Sequence, residues 1–257
     1  GVVMPIASAW MIETVGWRIG FMVFSAITLV CVLPVISRYV ISAPEDLKKE
    51  NSTSPSSGEM LPRSNPWTLK QALTNKNFWL VVLTFALLFC TNGATLTHMV
   101  PRVTDMGFSL TDAAPVLSFG AATGVLGKLL YGWVTDYWSA RWAIWTAILS
   151  QFAGQVLMLM ADSYLSFTIG AAVFGLGMGG MVPIHSSLVS SLFGQNGFGY
   201  IMGLMRPAML PVMVAGVPFA GWVFDTMGNY DFAFQVFLVL YILAAITVYF
   251  IRDTDKK

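Results

Sequence analysis

The sequence predicts an all-α integral membrane protein. Apolar runs of membrane-spanning length recur along it, short polar turns separate most of them, and Lys and Arg gather on alternate turns. Of the 257 residues, 56% are hydrophobic and 11% charged, too small a polar share to cover a soluble domain of this size. The 14 Lys and Arg nearly balance the 13 Asp and Glu, so there is no basic footprint for nucleic acid. Cys31 and Cys90 both stand inside apolar runs, which suits reduced thiols better than a disulfide framework. The chain opens on an apolar run, with neither an initial Met nor signal-peptide architecture. It is therefore expected to be the C-terminal part of a longer polypeptide.

A helix needs roughly 20 apolar residues to cross a hydrocarbon core of about 30 Å. That ruler gives one truncated span at 1–14 and seven complete ones near 18–40, 77–99, 112–134, 142–161, 164–190, 198–223 and 231–251. The long polar stretch from Ser42 to about Asn75 separates the second from the third. Its Ser-rich part, Ser52 to Gly58, reads as a flexible linker. Trp67 to Leu73 suits a short amphipathic helix lying on the membrane surface. The expected organisation is the end of one helical half at 1–41, a cytoplasmic linker at 42–76, a six-helix bundle at 77–251 and a cytoplasmic tail at 252–257.

Basic residues set the orientation. With the linker inside, the inner face carries Arg38, Lys48, Lys49, Arg63, Lys70, Lys76, Arg141, Arg252, Lys256 and Lys257, against Arg18 and Arg102 outside. The C-terminus is then cytoplasmic, in a plasma or inner membrane.

The spans differ in texture. Those at 142–161 and 231–251 hold a single glycine, Gly154, and no proline. The span at 198–223 holds Gly199, Gly203, Pro207, Pro211, Gly216, Pro218 and Gly221, and those at 112–134 and 164–190 are also rich in glycine. Glycine and proline free backbone groups and allow close approach, which is tolerated against protein or a watery cavity. The smooth spans are expected to face lipid and the interrupted ones to line a cavity. Gly132-Trp133-Val134-Thr135-Asp136 and Gly221-Trp222-Val223-Phe224-Asp225 agree at four of five positions and end two spans on opposite faces. Inverted three-helix units at 77–161 and 164–251 would produce that arrangement.

Two basic residues fall within spans. An ionisable group there costs about 3 kcal/mol on insertion scales, so each asks for a partner or a purpose. Lys128 and Arg206 are expected at similar depths, roughly 9 and 12 Å from the cytoplasmic ends of their spans at 1.5 Å per residue. No acid of the sequence lies at that level, so an anionic substrate held by charge-assisted hydrogen bonds is one reading. Snorkelling of Lys128 to the inner face, and pairing of Arg206 with an acid elsewhere in a longer chain, are the other. His185 follows Pro183 at about the same depth. It is read either as a proton carrier or as a donor to a carbonyl that the proline frees. Asn92, Thr95 and His98 are candidates for an outer vestibule, and Tyr131 is a candidate ligand-facing hydroxyl. No metal-ligand cluster, nucleophile–base pair or phosphate loop stands out, so neither catalysis nor a cofactor is expected.

At this point the sequence resembles the major facilitator superfamily. Gly16-Trp17-Arg18 resembles the family's link from helix five to helix six, and Gly132, Asp136 and Arg141 resemble its gating loop between helices eight and nine. Tyr137 and Ser139 depart from that loop, standing where a basic residue and a glycine are usual. Thr68 to Leu73 with Phe78-Trp79, Thr97-His98-Met99-Val100-Pro101 and Asp225 to Tyr230 resemble the monocarboxylate transporter and oxalate/formate antiporter branch. The resemblance implies the C-terminal six-helix bundle of a twelve-helix fold, plus helix six and the end of helix five. It also implies that the other half contributes half of the site. Lys128, four before Gly132, matches a position where the branch carries a carboxylate-binding arginine, and Lys keeps the charge without the bidentate fork. The implied function is secondary transport of small organic anions, proton-coupled or by exchange. A same-fold transporter of neutral or cationic solutes, such as a drug or sugar exporter, is the alternative.

Overall fold

A computed structural model describes residues 3–39 and 67–251. The expected linker and tail, with Lys48, Lys49, Arg63, Arg252, Lys256 and Lys257, lie outside the described residues. The chain divides into two compact units, one holding the described residues 7–39 and the other residues 3–6 with those from 67 onward.

Up to residue 39, α1 is Val3–Val15, α2 Trp17–Ile27 and α3 Leu33–Tyr39, with a π-helical turn at Thr28–Val32 between the last two. Gly16 joins α1 to α2 at φ 83° and ψ 155°, a region that side chains avoid and glycine enters freely. Gly20 then lets α2 approach Met11, whose Cβ stands 3.8 Å from where a Gly20 Cβ would be. The Arg18 guanidinium covers the Trp17 ring at 4.7 Å. The expected span at 18–40 is thus a helix interrupted by a wider turn.

In the second unit, α4 is Leu69–Thr74, α5 Lys76–Asp105, α6 Leu110–Tyr137, α7 Ala140–Leu159, α8 Tyr164–Gly179, α9 Met181–Phe193, α10 Phe198–Met227 and α11 Asp231–Phe250. Counting α8 and α9 as the single stretch Tyr164–Phe193, six helices among the described residues are long and apolar enough to cross a membrane. The short helix expected over Trp67–Leu73 begins later, because Thr68 is its N-cap. The Thr68 hydroxyl accepts from the Gln71 N–H, and the Gln71 side chain accepts from the Thr68 N–H. That reciprocal box excludes Trp67 from the helix.

Several helices run past their expected ends. The apolar ruler stops α5 near Met99, yet the helix continues through Pro101 to Asp105. The extension carries Arg102, whose Nη2 lies 2.7 Å from Asp231 Oδ1 at the start of α11. An ion pair lets the helix proceed where hydropathy alone ends it. The α8–α9 break falls at Gly180. Pro183 sits in the first turn of α9, where a missing N–H costs least. Pro207, Pro211 and Pro218 all lie within α10, which remains one helix of 30 residues and is the least buried of the six stretches.

The most extensive contacts join α8 to α6 and to α7, and α5 to α10 and α11. Glycine makes the first two possible. A Cβ on Gly175 would meet the Gly120 carbonyl, one on Gly179 the Gly124 carbonyl, and one on Gly127 the Leu176 carbonyl. On another face of α8, Gly177 admits the Ala147 carbonyl and Gly170 admits Met158, while Gly154 of α7 admits the Phe174 backbone. Backbone therefore touches backbone across both interfaces. The smooth α7 is held by this contact rather than turned wholly to lipid: Ala143, Ile144, Ala147, Gln151, Gly154, Gln155 and Met158 are all buried.

Gly175→Val should destabilise the detergent-solubilised protein by about 3 kcal/mol, the upper range for overpacking. Gly93→Ala, where the added Cβ meets nothing within 4 Å, should be neutral or stabilising by about 0.5–1 kcal/mol in a helix interior. Thermal unfolding of the two variants side by side checks the contrast. Equal losses would show that close packing is not what Gly175 supplies.

Candidate functional site

His185 is the best-defined polar group of the interior. It is 2% exposed, its ring centroid lies 4.2 Å from that of Phe85 and 6.2 Å from that of Phe89, and its Nε2 has no hydrogen-bond partner. Phe85, Phe89 and Asn92 are spaced i, i+4, i+7 on α5, which puts all three on one helical face. Asn92 is 5% exposed, and both its amide nitrogen and its oxygen lack partners. It stands about 10 Å beyond Phe85 along the helix. One turn on, the Thr95 hydroxyl donates to Gln155 Oε1 at 3.1 Å. Gln155 Nε2 and, one turn back on α7, Gln151 Oε1 are also buried without partners. Gln151 Nε2 contacts Met181 Sδ at 3.6 Å, one turn before His185. Unpaired polar atoms thus recur on α5, α7 and α9.

Arg206 comes from α10 and is exposed. Neither Arg206 nor Lys128 has an acidic partner among the described residues. The two cations are not brought to one level, contrary to the sequence expectation. Gly127, next to Lys128, packs on Leu176, which precedes His185 by nine residues, or about 13 Å of helix. Depth counted from span ends misplaces Lys128 because α6 and α8–α9 are offset along their axes. Lys128 is exposed, while Tyr131, one turn away, is buried. The Tyr131 ring packs where a Gly180 Cβ would be, and its hydroxyl faces Thr146 and Ser150 of α7.

The gating-loop candidates separate as well. Gly132 meets nothing that a Cβ would touch, and Asp136 is exposed in the last turn of α6. Arg141 Nη2 donates to the Tyr249 carbonyl at 3.1 Å, a cation at the C-terminal end of α11 where the helix dipole favours it. At the other end of the bundle, the His98 imidazole Nε2 lies 3.1 Å from the Val217 carbonyl. Burial, and then the charges of Asp105 and Asp225, push the nearby Tyr230 phenol above its ordinary pKa. The Phe85–Phe89 shelf and the Gln151–Gln155 pair were not among the sequence candidates. The i, i+4, i+7 spacing of Phe85, Phe89 and Asn92 is the signal that would have found the shelf. Among the described residues, no group of three His, Cys, Asp or Glu is placed to hold a metal.

A sequence profile described as the Major Facilitator Superfamily matches residues 1–209 and, again, 121–257. The chain is 21% identical to Monocarboxylate transporter 13 of Rattus norvegicus over 232 residues, covering 88% of this chain and 50% of that protein. It is 23% identical to Monocarboxylate transporter 12 of Mus musculus over 271 residues, covering 96% and 55%. It is 24% identical to Efflux pump bfoC of Aspergillus brasiliensis over 217 residues, covering 81% and 38%. The chain spans about half the length of the monocarboxylate transporters with the longest matches.

His185→Phe keeps a ring against Phe85 and removes an unpaired buried nitrogen, a group that costs about 1–3 kcal/mol when left unsatisfied. The variant should unfold at the same temperature as the parent or higher. A marked fall in unfolding temperature would show that the imidazole has a structural partner.

Proposed function

Because the chain belongs to the Major Facilitator Superfamily, we propose that it forms part of a secondary transporter of small organic anions, mono- or dicarboxylates, working by alternating access. The observation that carries this reading is Arg206, a cation within a membrane helix that has no acidic partner among the described residues. A carboxylate would supply the missing counter-charge through charge-assisted hydrogen bonds. Lys128 offers a second cation, exposed on α6. Asn92 offers a donor and an acceptor beyond the aromatic shelf, and His185 is the group that can carry a coupled proton. Proton symport and exchange are both compatible with this set. Tyr131 contributes by setting α6 against Gly180. Gly132, Asp136 and Arg141 form the loop that opens and closes, with Arg141 tied to α11.

The printed names of the monocarboxylate transporters support the substrate class. Their additional length supports a second set of helices that completes the site. In that arrangement residues 1–41 belong to the other half, 42–76 form a cytoplasmic linker, 77–251 form this half, and the C-terminus is cytoplasmic in a plasma or inner membrane. The similarity to an efflux pump favours a second reading, an exporter of neutral or cationic solutes. Acidic residues in the completing helices, placed to neutralise Arg206 and Lys128, would distinguish it.

In proteoliposomes carrying the full-length transporter, uptake should saturate and be competed by small carboxylates. Arg206→Gln should raise the half-saturation concentration at least tenfold, corresponding to about 1.5–3 kcal/mol for a hydrogen bond to a charged group. Lys128→Gln should have a smaller effect, and residues 1–257 alone should give no uptake. If both substitutions leave carboxylate uptake unchanged, the anion site lies elsewhere.

A further inference from the structure

Both helices that carry the proposed site end at one turn, and a residue far away in the sequence pins it. The Trp67 Nε1–H donates to the Phe193 carbonyl at 2.9 Å, across 126 positions. Phe193 is the last residue of α9, where carbonyls have no partner within the helix, so the indole supplies a donor that the helix lacks. The Trp67 ring also meets Phe193 edge to face, with centroids 5.2 Å apart at 68°. Gly197 completes the seat, since a Cβ there would run into Cδ1 and Nε1 of the indole. In the turn itself Gly194 stands at φ 76°, and a cavity lined by Ser186, Ser190, Gln195 and Phe198 opens beside it.

The segment that holds Trp67 is anchored at its other end too. Trp79 Nε1 of α5 donates to the Leu73 carbonyl at 2.7 Å, and Ala72 between them is fully buried. Residues 67–79 thus strap the end of α5 to the α9–α10 turn. His185 lies eight residues before Phe193, and Arg206 lies eight residues after Phe198, so each is about 12 Å of helix from the pinned turn. Any shift of that turn carries both groups with it, and helix ends that absorb such changes often set turnover.

We infer that Trp67 is a positioning residue. It holds the α9–α10 turn so that His185 and Arg206 keep their mutual placement, and its release belongs to the step in which these two helices move. The inference rests on the alternating-access reading above, but its first readout needs no substrate. Hydrogen–deuterium exchange is measured on the full-length transporter with Trp67→Phe, which keeps a ring and loses the N–H, and with Gly197→Val, which displaces the indole without altering it. Amides of residues 193–198 should exchange about tenfold faster in both, and the increase should extend up α9 to His185 and along α10 to Arg206. In proteoliposomes, turnover should change at least about threefold while half-saturation stays within about twofold, the opposite of the split expected for Arg206→Gln. Trp67→Ala combined with Gly197→Val should be no worse than either alone, as for two lesions of one contact. Where Trp67→Ala does not fold, the pair Trp67→Phe and Gly197→Val gives the same test. An exchange increase confined to 193–198, additive effects, or unchanged turnover would reduce Trp67 to a local packing residue and overturn the inference. Absence of any carboxylate uptake by the parent would instead count against the substrate class and leave the exchange result standing.

Discussion

The bundle depends on how closely α8 can approach its two neighbours. In lipid, helices gain no hydrophobic drive toward one another, so association rests on packing and hydrogen bonds. Gly120, Gly124 and Gly127 of α6 meet Gly175, Leu176 and Gly179 of α8 with backbone against backbone. Gly170 and Gly177 do the same toward α7. Once α8 is seated, the Gly180 break has a fixed position and Tyr131 fills the space in front of it. The direction of α9, and so the placement of His185 on Phe85, follows from that seat.

That placement leaves the interior with polar atoms that the protein does not satisfy. His185 Nε2, both polar atoms of Asn92, Gln151 Oε1 and Gln155 Nε2 are buried without partners. Each such atom costs about 1–3 kcal/mol in a dry interior. Elsewhere the bundle satisfies its side chains locally: Thr84, Thr123, Thr146 and Thr168 all donate to a carbonyl three or four residues back. These atoms lie on α5, α7 and α9, beside the aromatic shelf, and Tyr241 Oη of α11 and Arg102 Nε of α5 are also buried without partners. A site that binds and releases a polar solute needs such groups available rather than satisfied.

The two ends of the bundle are closed by long-range contacts of a common kind. Trp67 donates to the end of α9 and Arg141 to the end of α11, each satisfying a carbonyl that the helix leaves open at its C-terminal end. At the opposite end, Arg102 pairs with Asp231, and His98 meets the Val217 carbonyl. These contacts join α5 to α10 and α11, and Gly216 of α10 adds a close approach to the Cys90 carbonyl of α5.

The sequence by itself determined the all-helical membrane class, the approximate place of the six long spans from residue 76 onward, the glycine-rich texture of α6 and α8 and the identity of the two cations within spans. Hydropathy and glycine content are properties of windows of about 20 residues, and a membrane leaves backbone little choice but helix. It also located the Gly16 turn, where a positive φ admits little else. It misjudged what depends on neighbours. α5 outran its apolar run because Arg102 found Asp231. Trp67 fell outside α4 because Thr68 caps it. Lys128 and Arg206, placed at one depth by counting from span ends, separate once Gly127 is in register with Leu176. Tyr131 reads equally as ligand or packing residue until Gly180 is set against it. Axial offset and rotation between helices arise from contacts between residues distant in sequence. Only the tertiary structure could therefore decide that His185 and Phe85 belong together and that Trp67 closes the turn between α9 and α10.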